Sequence, residues 1–376
     1  MNAIQRICIT FYAVCTVLWA ALFFQDITSG FYNYLYSFLF GLIPLFGGIV
    51  AMLRSDIWGR FKSAVGKAVF FTGLGVFCWG VGELIWSYYN LVLNVAAPYP
   101  SLADIGFAPS IFFYSLGAYY LSKAAGAQFG LRHPLAKVFV AVTPLVVFAF
   151  SWWMLIMVAR GGVLVPEGEP LLKAILDIMY PLGDFVGLAI AIIVSGLSFR
   201  YLGGRYMWDI IAIFLGLFFM YVGDTIFSYT TTVGTFYNGQ FGDLMLSTGT
   251  FLLTYGALGF STVKVGFENI QALGAVTTER IKTVLDNVVA KIIKEQELVI
   301  GPLAWAEAQK VQGLHIDKQR GEVGISNGDP KAVVDRLVAQ YERLFGKASQ
   351  EVCKEAAAPL IASLSPADVP SSLRTA

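Results

Sequence analysis

Residues 82–88 read GELIWSY and residues 223–229 read GDTIFSY. Each places a carboxylate directly after a glycine, inside a run that is otherwise apolar and aromatic. Each run is long enough to cross a bilayer, which takes about 20 mostly apolar residues. The fold therefore turns on what such a segment is, and on why it occurs twice, 141 positions apart.

Working outward, the chain is 57% hydrophobic and only 14% charged, outside the range of an ordinary soluble domain. Residues 1–263 carry 12 Lys+Arg and 11 Asp+Glu, whereas residues 264–376 carry 14 and 14. This divides a membrane region, 1–263, from a nearly neutral soluble domain, 264–365, with a Pro/Ser-rich tail at 366–376 expected to be disordered. Neither part is basic enough to imply a nucleic-acid partner. Cys8, Cys15, Cys78 and Cys353 show no metal-ligand spacing, and His133 and His315 stand too far apart for a histidine site. Neither a metal nor a cofactor is expected. No small-residue cleavage site follows the first apolar run, so it reads as a retained helix.

Eight spans are expected, near 7–25, 32–53, 68–92, 104–123, 137–159, 175–198, 207–231 and 242–263. The fourth and eighth are the weakest, lightened by Gly, Ser and Thr, which suits closely packed positions in lipid. Ten of the twelve Lys and Arg fall on one side: Arg6, Arg54, Arg60, Lys62, Lys67, Lys123, Arg132, Lys137, Arg200 and Arg205. Only Arg160 and Lys173 fall on the other. By the positive-inside rule both termini are cytoplasmic, in a multi-pass protein of a prokaryotic plasma (inner) membrane.

The opening pair belongs to a longer internal match. Gly75, Gly82, Glu83, Ser87 and Tyr88 align with Gly216, Gly223, Asp224, Ser228 and Tyr229; Asp104, Gly117 and Ser122 then align with Asp243, Gly256 and Ser261. Spans two and six align only loosely, through Gly41 and Gly183. The expected fold is all-α and polytopic: eight transmembrane helices as a 4+4 parallel repeat, with halves of about 1–125 and 130–263, plus a small cytoplasmic α+β domain.

An acid within the hydrocarbon marks a functional site by default. Glu83 lies 16 residues beyond Lys67, about 24 Å at 1.5 Å per residue, and Asp224 is similarly deep, so both fall in the outer half. Asp177 and Asp184 share one face of span six. With Trp86, Tyr88, Tyr180 and Tyr229 these four acids form the candidate binding set, and Trp79 and Tyr89 lie on the same segments. Acid among aromatic rings suits a cationic or amphipathic small molecule entering from outside. Structural roles compete. Ser101 and Asp104 read as a capping box, Asp243 as a first-turn acid that offsets a helix dipole, and the deeper acids as hydrogen-bonding glue between helices.

In the soluble part, Ile281, Val284, Leu285, Val288, Val289, Ile292 and Ile293 form one stripe of an amphipathic helix. The stripe either packs on its own domain or pairs with a second copy through residues 279–297; a cytoplasmic protein partner is the other candidate. A hairpin turning at Gly321 follows, then a helix opened by Asp329-Pro330 and a last helix after Gly346. No nucleotide-binding or hydrolase motif occurs, and no nucleophile or metal set supports an enzyme.

PYPSLADIGF (98–107), with GELIWSYY (82–89) and YPLGD (180–184), resembles the multi-span sensory membrane module found ahead of cyclic-di-nucleotide cyclase and phosphodiesterase domains in bacterial signalling proteins. The resemblance covers about residues 1–263 and implies a sensory input module; the catalytic output domain of that pattern is absent. The expected function is a membrane sensor with an outward-facing acidic and aromatic pocket and a non-catalytic cytoplasmic interaction domain. The alternative is a small cation- or proton-coupled transporter or channel built on the same repeat.

Overall fold

The computed structural model describes residues 1–165, 168, 170–261, 279–317, 322–362, 364–366 and 368–374. The turn expected at Gly321 and the junction 262–278 lie outside them, as does the side chain of Ile281. The chain is mostly helical. In order come α1 (Ala3–Phe24), α2 (Phe31–Arg54), α3 (Ala64–Ser87), α4 (Asp104–Ala124), the single turn α5 (Ala127–Gly130), α6 (Pro134–Trp152), α7 (Leu171–Ser198), α8 (Met207–Thr232) and α9 (Phe241–Gly259). The soluble part holds α10 (Glu279–Ile300), α11 (Leu303–Ala308), α12 (Pro330–Phe345) and α13 (Lys347–Ile361). Its only sheet among the described residues pairs β1 (Leu314–Asp317) antiparallel with β2 (Glu322–Ile325), Leu314 facing Ile325.

Among the described residues, six helices are long and apolar enough to cross a membrane: Ala3–Phe24, Phe31–Trp58, Ala64–Val92, Pro134–Val158, Leu171–Ser198 and Met207–Thr232. The protein is therefore a membrane protein by the length and composition of its helices. Of the eight segments read from the sequence, α4 and α9 fall short. They are the two that small and hydroxyl residues lighten.

These two helices nevertheless run antiparallel along the full length of their predecessors, held at close range by glycine. A Cβ at Gly75 would lie 2.5 Å from Tyr114, and one at Gly82 would lie 2.5 Å from Phe107. Gly117 faces Thr72 and Ala68 at the opposite end of the same seam. On the second pair, Gly216 faces Gly249 and Leu253, Gly223 faces Leu246, and Gly256 faces Asp209 and Ile213. Side chains at these glycines would force the helices apart, so both seams rest on their absence. Around the two hairpins, α2 packs on α3 and α9, and α7 packs on α8 and α4; α1 and α6 lie outside.

Local chemistry sets the helix ends. Asn2 and Gln5 close a capping box on α1, and Ser63 caps α3 by accepting from the Gly66 amide at 2.9 Å. As expected, Asp329 caps α12 with Pro330 in its first turn, and Gly346 (φ 63°) ends it. Pro181 interrupts α7. Lacking an N–H, it frees the Asp177 carbonyl, which instead accepts from Ser228 Oγ of α8 at 3.2 Å.

The C-terminal part, from α10 on, docks on the Lys/Arg-rich end of the bundle. Backbone amides of Arg205 and Tyr206 donate to the Arg343 and Leu344 carbonyls at 3.0 and 3.3 Å, and Ala348 donates to Tyr201 at 3.1 Å. Trp58, Tyr206, Phe260 and Phe345 form one ring cluster, with centroid separations of 5.2–6.5 Å. Trp58 Nε1 also donates to the Phe260 carbonyl at 3.1 Å. The α10 stripe is consumed in this domain: Leu285, Val288, Val289, Ile292 and Ile293 are fully buried, with α11, α12, α13 and β2 packed on the helix. Of the two roles read for the stripe, packing on its own domain accounts for these five side chains. The segment 366–376, expected to be disordered, contains one described element. Ser371–Leu373 forms a 3₁₀ turn with Leu373 buried, and both serines donate to Asp335.

Two outcomes follow from this packing. Trp58→Ala empties a fully enclosed indole site and lowers stability by about 3–5 kcal/mol, measured as a lower thermal unfolding midpoint of the detergent-purified protein. Burial alone would raise the Asp335 carboxyl, but the Ser372 and Ser371 donors hold it below its ordinary value. Its anchoring of the C-terminal turn is complete above the usual carboxylate range and lost as pH falls through the depressed value. Amide exchange at Ser372 accelerates over that acidic interval, and Asp335→Ala accelerates it at neutral pH.

Candidate functional site

The glycine that lets α4 approach α3 also aims the neighbouring acid. Gly82 meets Phe107 of α4, and one residue further around the helix Glu83 turns toward α2. There Gly41 leaves the space: a Cβ at Gly41 would lie 2.5 Å from the Glu83 Cβ. On α8, Gly223 meets Leu246 of α9 while Asp224 turns toward Asp184 of α7. The Gly-Glu and Gly-Asp pairs are thus one device used twice, a close-packing residue followed by an inward acid.

Glu83 and Asp224 open into one pocket at the end of the bundle opposite the soluble domain, with an empty volume of about 660 Å³ counting its mouth. Asp104 and Asp243, in the first turns of α4 and α9, line it as well, so four helices deliver four carboxylates. Among the described residues, no Lys or Arg lines it. Trp79, Trp86, Phe107, Tyr99, Phe227 and Phe236 make an aromatic wall, in which Trp79–Phe107 and Phe227–Phe236 centroids lie 4.7 and 5.0 Å apart. Such a mix of apolar wall and a few convergent polar groups is the usual make-up of a small-molecule site.

The polar groups are held from several directions. Tyr180 OH donates to Asp104 Oδ1 at 2.5 Å, while Asp104 Oδ2 accepts from the Ser101 amide at 2.7 Å. Asp243 Oδ2 accepts from the Gly239 amide at 2.6 Å. Trp86 Nε1 donates to Asn238 Oδ1 at 2.9 Å, and Asn33 and Trp19 fasten the same loop through the carbonyls of Asn238 and Gly239. Tyr36 OH contacts Ser247 Oγ at 3.2 Å. Asp224 and Asp184 are 4% and 3% exposed and stand against each other, and no protein donor reaches Oδ2 of either. Two carboxyls in contact without a donor need a proton or a cation between them.

The structure divides the sequence-derived site set. Glu83, Asp224, Trp86 and Tyr180 line the pocket, and Asp184 backs it through Asp224. Tyr88 and Tyr229 do not line it; they are 53% and 39% exposed on the outer faces of α3 and α8. Both follow their acid by five residues, about 140° around a helix, so they point away, whereas Trp86 at three residues does not. Asp177 is also outside the pocket. It is 1% exposed and ion-paired with Arg160 Nη2 at 2.7 Å and Lys173 Nζ at 3.3 Å, so it is a structural charge. Asp104 and Asp243 were assigned to helix capping from the sequence, and each does hold a loop amide, but each also faces the pocket. Their match within the repeat was the available signal. Nothing in the sequence marked Tyr36, Ser37 and Phe40 of α2 or Asn238 of the loop.

Among the described residues, no three His, Cys, Asp or Glu side chains stand close enough to hold one metal ion. The pocket acids are therefore spread around a cavity rather than gathered at a point.

Asp177→Asn removes the carboxylate of a buried ion pair with Arg160 and lowers stability. Thermal unfolding of the purified variant reads this as reduced stability, and an unchanged midpoint would contradict the structural assignment. No protein-family model, curated protein or solved structure matches the chain.

Proposed function

We propose that this protein is a polytopic membrane sensor that binds an organic cation in the four-acid pocket and passes the event to its soluble domain. The observation that carries the reading is the pocket itself: carboxylates from four helices meet aromatic walls with no basic residue among them. A cation fits such a site by charge and by ring-face attraction. It lies at the opposite end of the bundle from the docked domain, as an input site should lie from its output.

The architecture proposed is eight spans in two parallel halves, with α4 and α9 completing the six more apolar helices. Several observations support it. Gly75, Gly82 and Gly117 touch on α4 and α3 what Gly216, Gly223 and Gly256 touch at matching positions on α9 and α8. The four pocket acids are the two repeat pairs, Glu83 with Asp224 and Asp104 with Asp243. Trp86 and Phe227, Phe107 and Leu246, and Tyr99 and Asn238 also line the pocket from corresponding places. The pocket then lies between the halves, where parallel repeats place their binding sites. By the Lys/Arg distribution it opens to the outside of the plasma membrane, with both termini and the domain in the cytoplasm.

The resemblance to sensory membrane modules of cyclic-di-nucleotide signalling proteins fits the same reading. Of its motifs, PYPSLADIGF supplies Tyr99, Asp104 and Phe107 to the pocket, GELIWSYY supplies Glu83 and Trp86, and YPLGD supplies Tyr180 and the backing Asp184. The output is proposed to be protein interaction by the soluble domain. A ligand moves the equilibrium only by binding two bundle arrangements unequally.

Transport is a second reading, favoured by the proton or cation required between Asp184 and Asp224. Against it, the core beneath the pocket is closed by Val76, Tyr114, Met220, Leu217 and Leu253, all essentially fully buried.

The test uses the full-length purified protein and two monocations, n-pentylammonium and phenethylammonium. Both raise its thermal midpoint and alter tryptophan fluorescence through Trp79 and Trp86. Glu83→Gln and Asp224→Asn express normally but bind about tenfold more weakly or worse. Wild-type responses in both variants, or no response to any organic cation, sink the sensor reading. Accumulation of the cation inside proteoliposomes favours transport instead.

A further inference from the structure

We infer that the ligand is a dication, a linear aliphatic diamine or polyamine with one ammonium at each end of the pocket. The inference rests on the reading of this pocket as an organic-cation site and narrows it to one chemical class.

The four acids are not equivalent neighbours; they fall into two groups. Glu83 of α3 packs against Gly41 of α2, and Asp243 of α9 sits one turn before Ser247, whose hydroxyl contacts Tyr36 of α2. Asp104 of α4 accepts from Tyr180 of α7, and Asp224 of α8 sits one turn before Ser228, which donates to the Asp177 carbonyl of α7. Each group therefore joins two carboxylates, one from each half of the bundle, under one buried tyrosine. Tyr36 is 1% exposed and Tyr180 is 4% exposed, and both line the pocket. The wall shared by the two groups is apolar, with Trp86, Phe107, Phe227 and Leu246 on it.

This distribution discriminates among cations. A single metal ion is disfavoured, because no three acidic, histidine or cysteine side chains among the described residues gather around one point. A monocation neutralises one group and leaves the other without a counter-charge in a low-dielectric site. No lysine or arginine lines the pocket to do that work, since Arg160 and Lys173 are paired with Asp177 outside it. Two ammonium groups joined by methylenes satisfy both ends at once and lay the spacer against the rings.

The ends are similar but not identical. Both oxygens of Asp104 already accept hydrogen bonds, from Tyr180 and the Ser101 amide. The free acceptor at that end is Asp224, which lines the pocket, is 4% exposed, and has an Oδ2 that no protein donor reaches. At the other end Glu83 and Asp243 are half-buried and open to the cavity. An ammonium donates three hydrogen bonds and matches such acceptors.

The experiment compares α,ω-diamines of increasing length with n-alkylamines of equal length on the full-length protein in detergent, read by thermal shift and tryptophan fluorescence. The diamines bind about tenfold or more tightly than the matched monoamines, with an optimum chain length. Asp243→Asn at one end, or Asp224→Asn at the other, reduces each diamine to the affinity of its monoamine. The wild-type series alone decides the matter if a variant fails to fold. Equal affinity of diamines and monoamines overturns the dication while leaving an organic-cation pocket standing. Binding of neither overturns both.

Discussion

Two glycine seams carry the rest of this structure. In hydrocarbon there is no hydrophobic gain from bringing helices together, so association depends on close contact and on polar links between them. Gly75, Gly82 and Gly117 on one hairpin, and Gly216, Gly223 and Gly256 on the other, remove side chains along the whole contact line. Because α4 and α9 are held at that range, they need not be as apolar as the outer helices, and they tolerate Ser, Thr and an acid in their first turns. The pocket is a by-product of the same geometry. Where the two seams reach the end of the bundle, the residue after each seam glycine is an acid turned away from the seam and into the space between hairpins.

How much of this was legible in the sequence differs from element to element. The duplicated Gly-acid pair was visible because an acid in an apolar run and a regular repeat are both local signals. Its meaning was half visible: the acid drew attention, while the glycine, which sets the helix separation, became intelligible only with Phe107 and Leu246 in place. Asp177 and Asp184 do share a helix face as the spacing predicts. Two turns along that face, however, the surroundings change from a partner carboxyl to Lys173, one turn earlier on α7, and Arg160, from before the helix. Tyr36 was hidden because α2 and α7 align only loosely, so no repeat partner pointed to it. The capping box read at Ser101 is not formed, since the N-cap of α4 is Ala103 without a side-chain bond; Asp104 and Asp243 each hold a loop amide instead, and one carboxylate can do so while facing a cavity.

The soluble part shows the same mixture. Its helices, caps and hairpin follow from periodicity, Asp-Pro and glycine. The fate of the α10 stripe did not, because an amphipathic stripe is equally suited to its own domain and to a second chain; tertiary packing decided for the former. Likewise Ser371 and Ser372 look like tail residues until Asp335 supplies the acceptor that orders them.

The ring cluster at the base of the bundle has a geometric consequence. Trp58 follows α2, Tyr206 precedes α8, Phe260 follows α9 and Phe345 ends α12. A rigid tilt of the whole bundle carries all four rings together and leaves their mutual angles unchanged. Displacement of the end of α2 against the adjoining ends of α8 and α9 shears Trp58 past Tyr206 and Phe260, with Phe345 wedged among them. The junction is therefore insensitive to common motion and responsive to relative motion of the helices that carry these rings.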